Sequence, residues 1–457
     1  MSDHPASPAS EKVPGRLKLI LSLGEFAPSA AGTVIPFYFL FFLTDIAGVR
    51  PGLAGTLLLV ARLWDAINDP LVGNISDRTH SRWGRRRPFI LFAMLPMGLF
   101  YALLWVVPPF GPGLRALYYL IIYLLFDTAF TFVQGPYAAL TPELTLDADE
   151  RTSLFIWRMA VSIITGLVAA VGMDFAFSLL PNMRVSFALL GVMVGALSVL
   201  PYIWIVAAVR ERPEFQRQAG FGLGQAVRVV LRSRPYLLSL SIETLAWTTI
   251  AIVEAVFTYY LIYWSGIPQE DSPVVLALIL ASATLTLPLV NWLANRFDKK
   301  WAFVASTSVW VLVHIALWFV PQMVTAPIYV IAGLAGLGVA AAHVLPGALS
   351  VDVLEAVEMD TGQRQEGLFV GISAFGRKLG TSAALFVLGW VLDLTGYVPN
   401  AAQQTGPALL GIRLMLTWVP IVLLGLAIAA AAAFPITRAV HADLVARLAE
   451  RRAAASD

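Results

Sequence analysis

The sequence predicts an all-α integral membrane protein of twelve transmembrane helices, arranged as two pseudo-symmetric halves of six. Three observations carry this. Of 457 residues, 58% are hydrophobic and 13% charged, against about 25% charged in an ordinary soluble chain. The apolar residues gather into runs of bilayer-spanning length, because every backbone N–H and C=O in hydrocarbon must be bonded within its own segment. Lys and Arg concentrate in alternate loops, the pattern that orients a polytopic protein.

The spans are expected at 18–47, 53–76, 88–108, 115–141, 153–181 and 185–209, and then at 236–265, 272–296, 301–320, 326–350, 367–394 and 407–436. A Gly-, Pro- and Arg-containing stretch, 210–235, links the N-terminal half (18–209) to the C-terminal half (236–436), with polar tails at 1–17 and 437–457. The basic residues Lys12, Arg16, Lys18, Arg78, Arg82, Arg85, Arg86, Arg87, Arg151, Arg296, Lys299, Lys300, Arg364 and Arg438 share one side with the linker; Arg50, Arg115 and Arg184 take the other. Both termini are therefore expected in the cytoplasm. The first tail shows no apolar segment of signal-peptide length ahead of a cleavage site. The sequon at Asn74 falls on the cytoplasmic side, where it would not be glycosylated.

Several classes are disfavoured. Lys and Arg number 31 and Asp and Glu 29, with no long basic tract, so no nucleic-acid partner is expected. There is no cysteine to supply a disulfide, thiolate metal site or nucleophile. HExxH, G-x-S-x-G and Walker A motifs are absent, and GISAFG at 371–376 is a near miss. No enzyme and no cofactor are expected. The partners are the lipid bilayer and a small solute, with no obligatory protein partner and a monomer as the expectation.

A weak repeat supports two homologous halves: GNISDRTHSRWGRRRP after the second span has a shortened counterpart, WLANRFDKKW, after the eighth. Such halves suit carriers that rock about a midplane site.

Charged side chains inside a span cost about 2.5–3.5 kcal/mol even on lenient scales, so each is a functional candidate. The second span is densest, with Arg62, Asp65 and Asp69 at i, i+3 and i+7. The two carboxylates share a helix face and suit either a hard-oxygen cation site, metal-like for Na⁺, or a coupled proton pair. Alternatively, Asp65 neutralises Arg62 and Asp69 bonds loop arginines. Glu25, Arg158 and Lys378 also lie well inside spans and are expected to converge on the same cavity. Asp174 and Glu243 lie nearer span ends, where snorkelling accounts for them. His314 is expected to be a neutral side chain satisfied by a neighbouring helix. The loop from Asp77 through Arg78, Arg82, Gly84, Arg85 and Arg86 is expected to latch the cytoplasmic side through salt bridges.

With these residues in view, the sequence resembles the major facilitator superfamily, specifically its glycoside–pentoside–hexuronide:cation symporters. The resemblance spans nearly the whole chain, through LVARLWDAINDPLVGNISDRTHSRWGRRRPFIL, GPYAALTPELTLDADERTSL, DTGQRQEGLFVGISAFGRKLG and GYVPNAAQQTGPALLGIRLM. It implies a coupling-cation site (Na⁺ or H⁺, with Li⁺ possible) at Asp65, Asp69, Thr131 and Lys378. It implies a substrate site at Glu25, Ser29, Gln134, Arg158 and His343. The family's sugar-binding carboxylates fall on Ser29 and Gln134, and its stacking tryptophans on Ala138 and His343. Replacing carboxylates with Ser and Gln removes charge-assisted bonds to hydroxyls and makes galactosides poor candidates. The expected function is symport of a monovalent cation with a glycoside, pentoside or hexuronide by alternating access, in a plasma (bacterial inner) membrane. The alternatives are a lysolipid or other amphipathic solute, or a passive channel or facilitator.

Overall fold

In a computed structural model, residues 13–79, 81–144, 148–179, 182–209, 233–361 and 366–454 are described. Among them the regular structure is entirely helical. The first span opens as α1 (Gly15–Leu23), resumes as α2 (Phe26–Phe41) and ends in a π-turn, Phe42–Ile46. Then come α3 (Pro51–Arg78), α4 (Arg87–Leu104), α5 (Pro112–Glu143), α6 (Ala148–Leu179) and α7 (Met183–Ala208). After the linker follow α8 (Arg234–Tyr259) with its own π-turn Tyr260–Trp264, α9 (Ser272–Phe297), α10 (Lys299–Phe319), α11 (Ala326–Thr361) and α12 (Glu366–Leu394). The last span is α13 (Gly406–Leu416) and α14 (Trp418–Ala432). Within the expected C-terminal tail lies α15 (Arg438–Ala454).

Every expected span thus corresponds to helix. Among the described residues, ten stretches are long and apolar enough to cross a membrane. The two that fall short of that measure, α3 and α12, carry Arg62, Asp65 and Asp69 and Arg377 and Lys378 within otherwise apolar sequence. Large apolar side chains such as Leu285, Phe319 and Leu394 are 74–80% exposed, as lipid-facing positions must be. The linker 210–235 lies almost wholly outside the described residues.

Helix starts follow local chemistry. Asn182 accepts from the Arg184 N–H, Thr405 from Ala408 N–H and Asp298 from Lys300 N–H, each side chain satisfying a donor that a helix leaves open. Proline occupies the first turn of α4, α8, α9 and α13, where its missing N–H costs nothing.

The chain forms two compact units. The first comprises Met1–Ile35, Ile46–Val49 and Val60–Ala219; the second comprises Pro36–Asp45, Arg50–Leu59 and Gly220–Asp457. In the first, Trp105 and Phe187 stack with centroids 5.5 Å apart. Its α4 and α7 meet at Gly98 and Gly195, where a Cβ on either would stand 2.4–2.5 Å from the other's carbonyl oxygen. Small residues permit that approach, and packing drives association in lipid. The second unit has a core of Tyr236, Ile242, Phe303, Leu345, Ala427 and Phe434.

The second unit also takes in the end of the first span and the start of the second. Thr258 donates to the Phe37 carbonyl at 3.0 Å, Thr44 and Tyr259 share a hydroxyl bond of 2.7 Å, and Trp390 Nε1 donates to Thr56 at 3.2 Å.

Candidate functional site

In the first unit, α3 and α5 are joined by a polar ladder. Trp64 Nε1 donates to Thr128 Oγ1 at 2.9 Å, Asn68 Nδ2 to the Asp127 carbonyl at 3.5 Å, and Thr131 Oγ1 to Asp69 Oδ1 at 3.1 Å. The spacing 64, 68 and 69 against 127, 128 and 131 places one stripe of each helix on the other. Asp65, Asn68, Asp127 and Thr131 are all buried. Arg62 reaches Asp65 at 3.8 Å. Asp65 does therefore pair with Arg62, and Asp69 meets a threonine of the neighbouring helix. Oxygens predominate along the ladder, which suits a hard cation or a proton. Among the described residues no three His, Cys, Asp or Glu side chains gather as they would around a transition metal. Lys378 belongs to the second unit, where its carbonyl accepts from Thr381 at 3.1 Å.

A second cluster joins the first span to α6. Arg158 Nε donates to Glu25 Oε1 at 2.6 Å, and its guanidinium closes an ion pair with the same oxygen. One turn further along both helices, Ser29 and Ser162 hydroxyls bond at 2.7 Å; a turn beyond that, the Thr33 hydroxyl lies 3.4 Å from where a Cβ on Gly166 would stand. Residues 25, 29 and 33 thus run in register with 158, 162 and 166. Arg158 lies over the Tyr137 ring at 4.6 Å, and Tyr137 donates to the Leu21 carbonyl at 2.7 Å. Gln134 Nε2 donates to the Tyr202 hydroxyl at 2.5 Å, and Tyr202 donates to the Gly24 carbonyl at 2.7 Å. Gly24 has to be glycine here, since a Cβ would stand 2.6 Å from the Tyr137 ring. Glu25, Ser29, Gln134 and Arg158 are therefore brought into one neighbourhood. Tyr137, Tyr202 and Ser162, which the sequence did not single out, hold them there.

The second unit holds a cluster around Trp247. The His343 ring meets it edge-on at 5.1 Å, and the Arg377 guanidinium lies 5.4 Å from its centre. Arg377 pairs with Glu243 at 2.9 Å, and Ser350 donates to Glu243 at 3.1 Å. Glu243 is 4% exposed. Its expected snorkelling is thus corrected: nearness to a span end misled, because α12 brings it a guanidinium and α11 a hydroxyl. His314 Nδ1 bonds the Leu416 carbonyl at 2.7 Å, as expected of a histidine satisfied by a neighbouring helix. Its Nε2, however, has no hydrogen-bond partner among the described residues.

Asp45, unmarked in the sequence, anchors a further buried network in the second unit. Tyr263 and Tyr397 hydroxyls donate to its Oδ1 at 2.5 and 2.6 Å, the Asn400 N–H at 3.1 Å, and Thr44 to its Oδ2 at 2.6 Å. Burial, reinforced by the Asp45 charge, raises the Tyr397 phenol above its ordinary value and keeps it a donor.

In the arginine-rich loop, Gly84 takes a φ of 102° that only glycine adopts readily, and the Ser81 hydroxyl closes the turn on its carbonyl at 2.6 Å. Arg85 is buried, Arg82 lies over Trp83 at 5.0 Å, and Arg87 Nε donates to the Val206 carbonyl at 3.0 Å. The side chains of Asp77 and Arg78, and of Asp174, lie outside the described residues.

Residues 20–438 match the MFS/sugar transport protein family. The chain is 26% identical to the isoprimeverose transporter of Lactiplantibacillus pentosus, over 99% of this chain and 97% of that protein. It is 27% identical to the sodium-dependent lysophosphatidylcholine symporter 1-A of Danio rerio, over 92% and 85%. The crystal structure of the nucleoside transporter NupG shares the fold at a TM-score of 0.64 and 14% identity, covering 92% of this chain and 98% of that one. From its helices, the family match across residues 20–438 and these likenesses, the chain belongs to the MFS/sugar transport protein family of multi-pass membrane transporters.

Proposed function

We propose that this transporter is a cation-coupled symporter in which Na⁺ or H⁺, held at Asp65, Asp69 and Thr131, drives entry of a glycoside, pentoside or hexuronide across the plasma membrane. The observation that carries the reading is the bond from Thr131 to Asp69, one helical turn along α3 from the buried Asp65 carboxylate, between apolar helices. A carboxylate in such surroundings is costly unless paired, so a bound cation or proton removes the obstacle to closing the carrier around it. Coupling is then linkage: the ion and the solute each raise the other's affinity by the same factor.

Glu25, Arg158, Gln134 and Ser29 form the solute-facing group in this account. Arg158 meets the solute as half of an ion pair, so it directs hydroxyls and a carboxylate through a partly neutralised guanidinium. Lys378 acts as a further cationic residue, and Trp247 beside His343 offers an aromatic face of the kind sugars stack on. Asp77, Arg78, Arg82, Gly84, Arg85 and Arg86 form the cytoplasmic gate.

A second reading, a lysolipid or other amphipathic solute, is favoured by one observation. Ser29 and Gln134 stand where sugar-binding carboxylates are expected, and both spend their hydrogen bonds on Ser162 and Tyr202. Uptake into proteoliposomes of labelled galactosides, glucosides, pentosides, glucuronides and a lysolipid, under an imposed Na⁺ or pH gradient, separates the readings. Concentration of one sugar class supports the first, and of the lysolipid alone the second. Equilibration without concentration under either gradient would leave a passive facilitator.

A further inference from the structure

Each unit holds an ion pair between a glutamate and an arginine that are placed alike in its own half. In the first unit Glu25 of the first span meets Arg158 on α6, the fifth span. In the second, Glu243 on α8, the first helix of its half, meets Arg377 on α12, the fifth. The register continues alike: Ser29 meets Ser162 one turn beyond the first pair, and Thr244 and Thr248 of α8 face Gly376 and Gly380 of α12. An aromatic ring lies beside each guanidinium, Tyr137 at 4.6 Å from Arg158 and Trp247 at 5.4 Å from Arg377.

The two arginines differ in what they leave for a ligand. The Nε and Nη2 donors of a guanidinium form the edge that grips a carboxylate through two parallel bonds. Arg158 spends that edge on Glu25, through Nε at 2.6 Å and through Nη2. Arg377 reaches Glu243 through Nη1, at 2.9 Å, and its Nε–Nη2 edge has no acceptor among the described residues. Its side chain is 39% exposed, against 17% for Arg158. Lipid is a costly surrounding for a guanidinium, so an open edge within a span belongs in a water-filled cavity. Ser350 donates to Glu243 at 3.1 Å and so helps fix the carboxylate that orients Arg377.

The same cluster supplies two groups of different chemistry. The Trp247 ring is only partly buried. The exposed His343 bonds the Val339 carbonyl through Nδ1 at 2.8 Å, so Nδ1 carries the proton and Nε2 is an acceptor.

We infer that Arg377 determines specificity in the second unit: its Nε–Nη2 edge takes the carboxylate of an acidic sugar whose ring lies against Trp247 and whose hydroxyl donates to His343 Nε2. This rests on the sugar-symport reading and narrows it to hexuronides. A neutral glycoside meets the same ring and acceptor but brings no anionic partner to the guanidinium edge, and so binds more weakly. Glu243 keeps the arginine paired while the site is empty.

The test is isothermal titration of the full chain in lipid nanodiscs, in Na⁺ buffer, with phenyl glucuronide and phenyl glucoside, which differ at the carboxylate. Wild type should bind the glucuronide about 10- to 100-fold more tightly. Arg377→Gln should erase that preference while changing glucoside affinity less than about threefold. Because this variant leaves Glu243 unpaired, the charge-balanced double variant Arg377→Gln, Glu243→Gln is measured beside it, with thermal melting as the check on folding, and should show the same loss. Glu243→Gln alone keeps the arginine and should retain the glucuronide preference, which a merely structural ion pair would not require. Equal affinity of wild type for the two probes, or a preference that survives in either folded Arg377 variant, would overturn the inference and leave the sugar-symport reading standing. Binding of neither probe to wild type would overturn both.

Discussion

Arg158 on α6 donates to Glu25 at the opening of α2 across 2.6 Å, one turn before Ser162 meets Ser29. The pair therefore both neutralises a guanidinium in the membrane and sets the register of two helices. Removing one partner leaves the other charge uncompensated, which costs far more than removing both.

Glu25→Gln is accordingly expected to lower thermal stability and solute affinity together. Arg158→Ala should weaken solute binding more than cation binding, with at least a tenfold loss of solute affinity. Binding titrations of each ligand on purified protein measure the split; equal losses for both would assign the pair a structural role alone.

Thr131→Val keeps the shape of the side chain and deletes the hydroxyl bonded to Asp69. The neutral bond is worth about 1 kcal/mol, more with a charged acceptor. The expected outcome is a 5- to 30-fold rise in the cation concentration for half-maximal uptake, with expression and melting temperature near wild type. Thr131→Ser should restore most of the difference.

At Asp45 four donors converge on one carboxylate, and they arrive from the end of the first span, the π-turn after α8 and the 395–405 loop. Tyr397→Phe removes one bond to a charged group and should cost about 1.5–3 kcal/mol. Asp45→Asn should destabilise further, because an amide cannot accept all four. Denaturation in detergent measures both, and accessibility of cysteines placed at positions 50 and 400 reports whether the segment opens. Unchanged stability in both variants would remove the network's anchoring role.

The α4–α7 crossing gives a packing test. Gly195→Leu places a Cβ 2.4 Å from the Gly98 carbonyl, and overpacking of this kind typically costs about 1–3 kcal/mol. A lowered melting temperature is expected, with solute affinity in the surviving folded fraction unaltered.

The helices were legible because hydrocarbon tolerates little else than long apolar helical runs. Asp65, Asp69 and Arg158 stood out because a charge in such a run is costly. Tyr137 and Tyr202 did not, since a buried tyrosine within an apolar run reads as core until its hydroxyl is seen to hold a backbone carbonyl. Asp45 was hidden for a different reason: it sits at the end of a run, where a carboxylate is cheap, and only folding brings Tyr263, Tyr397 and Asn400 to it. The same proximity to a span end made Glu243 look solvated when Arg377 in fact neutralises it. The membership of Pro36–Asp45 and Arg50–Leu59 in the second unit is likewise a tertiary property, invisible to a division at the 210–235 linker.

The central claim is that Asp69 couples an ion to solute movement. The most direct measurement is the accumulation ratio of labelled solute, drawn from the panel above, in proteoliposomes of wild type and Asp69→Asn under an imposed Na⁺ or pH gradient, with thermal melting as the check on folding. Wild type should concentrate the solute several-fold above the external level, while folded Asp69→Asn should do no more than equilibrate it. Accumulation by Asp69→Asn at the wild-type ratio would contradict the account.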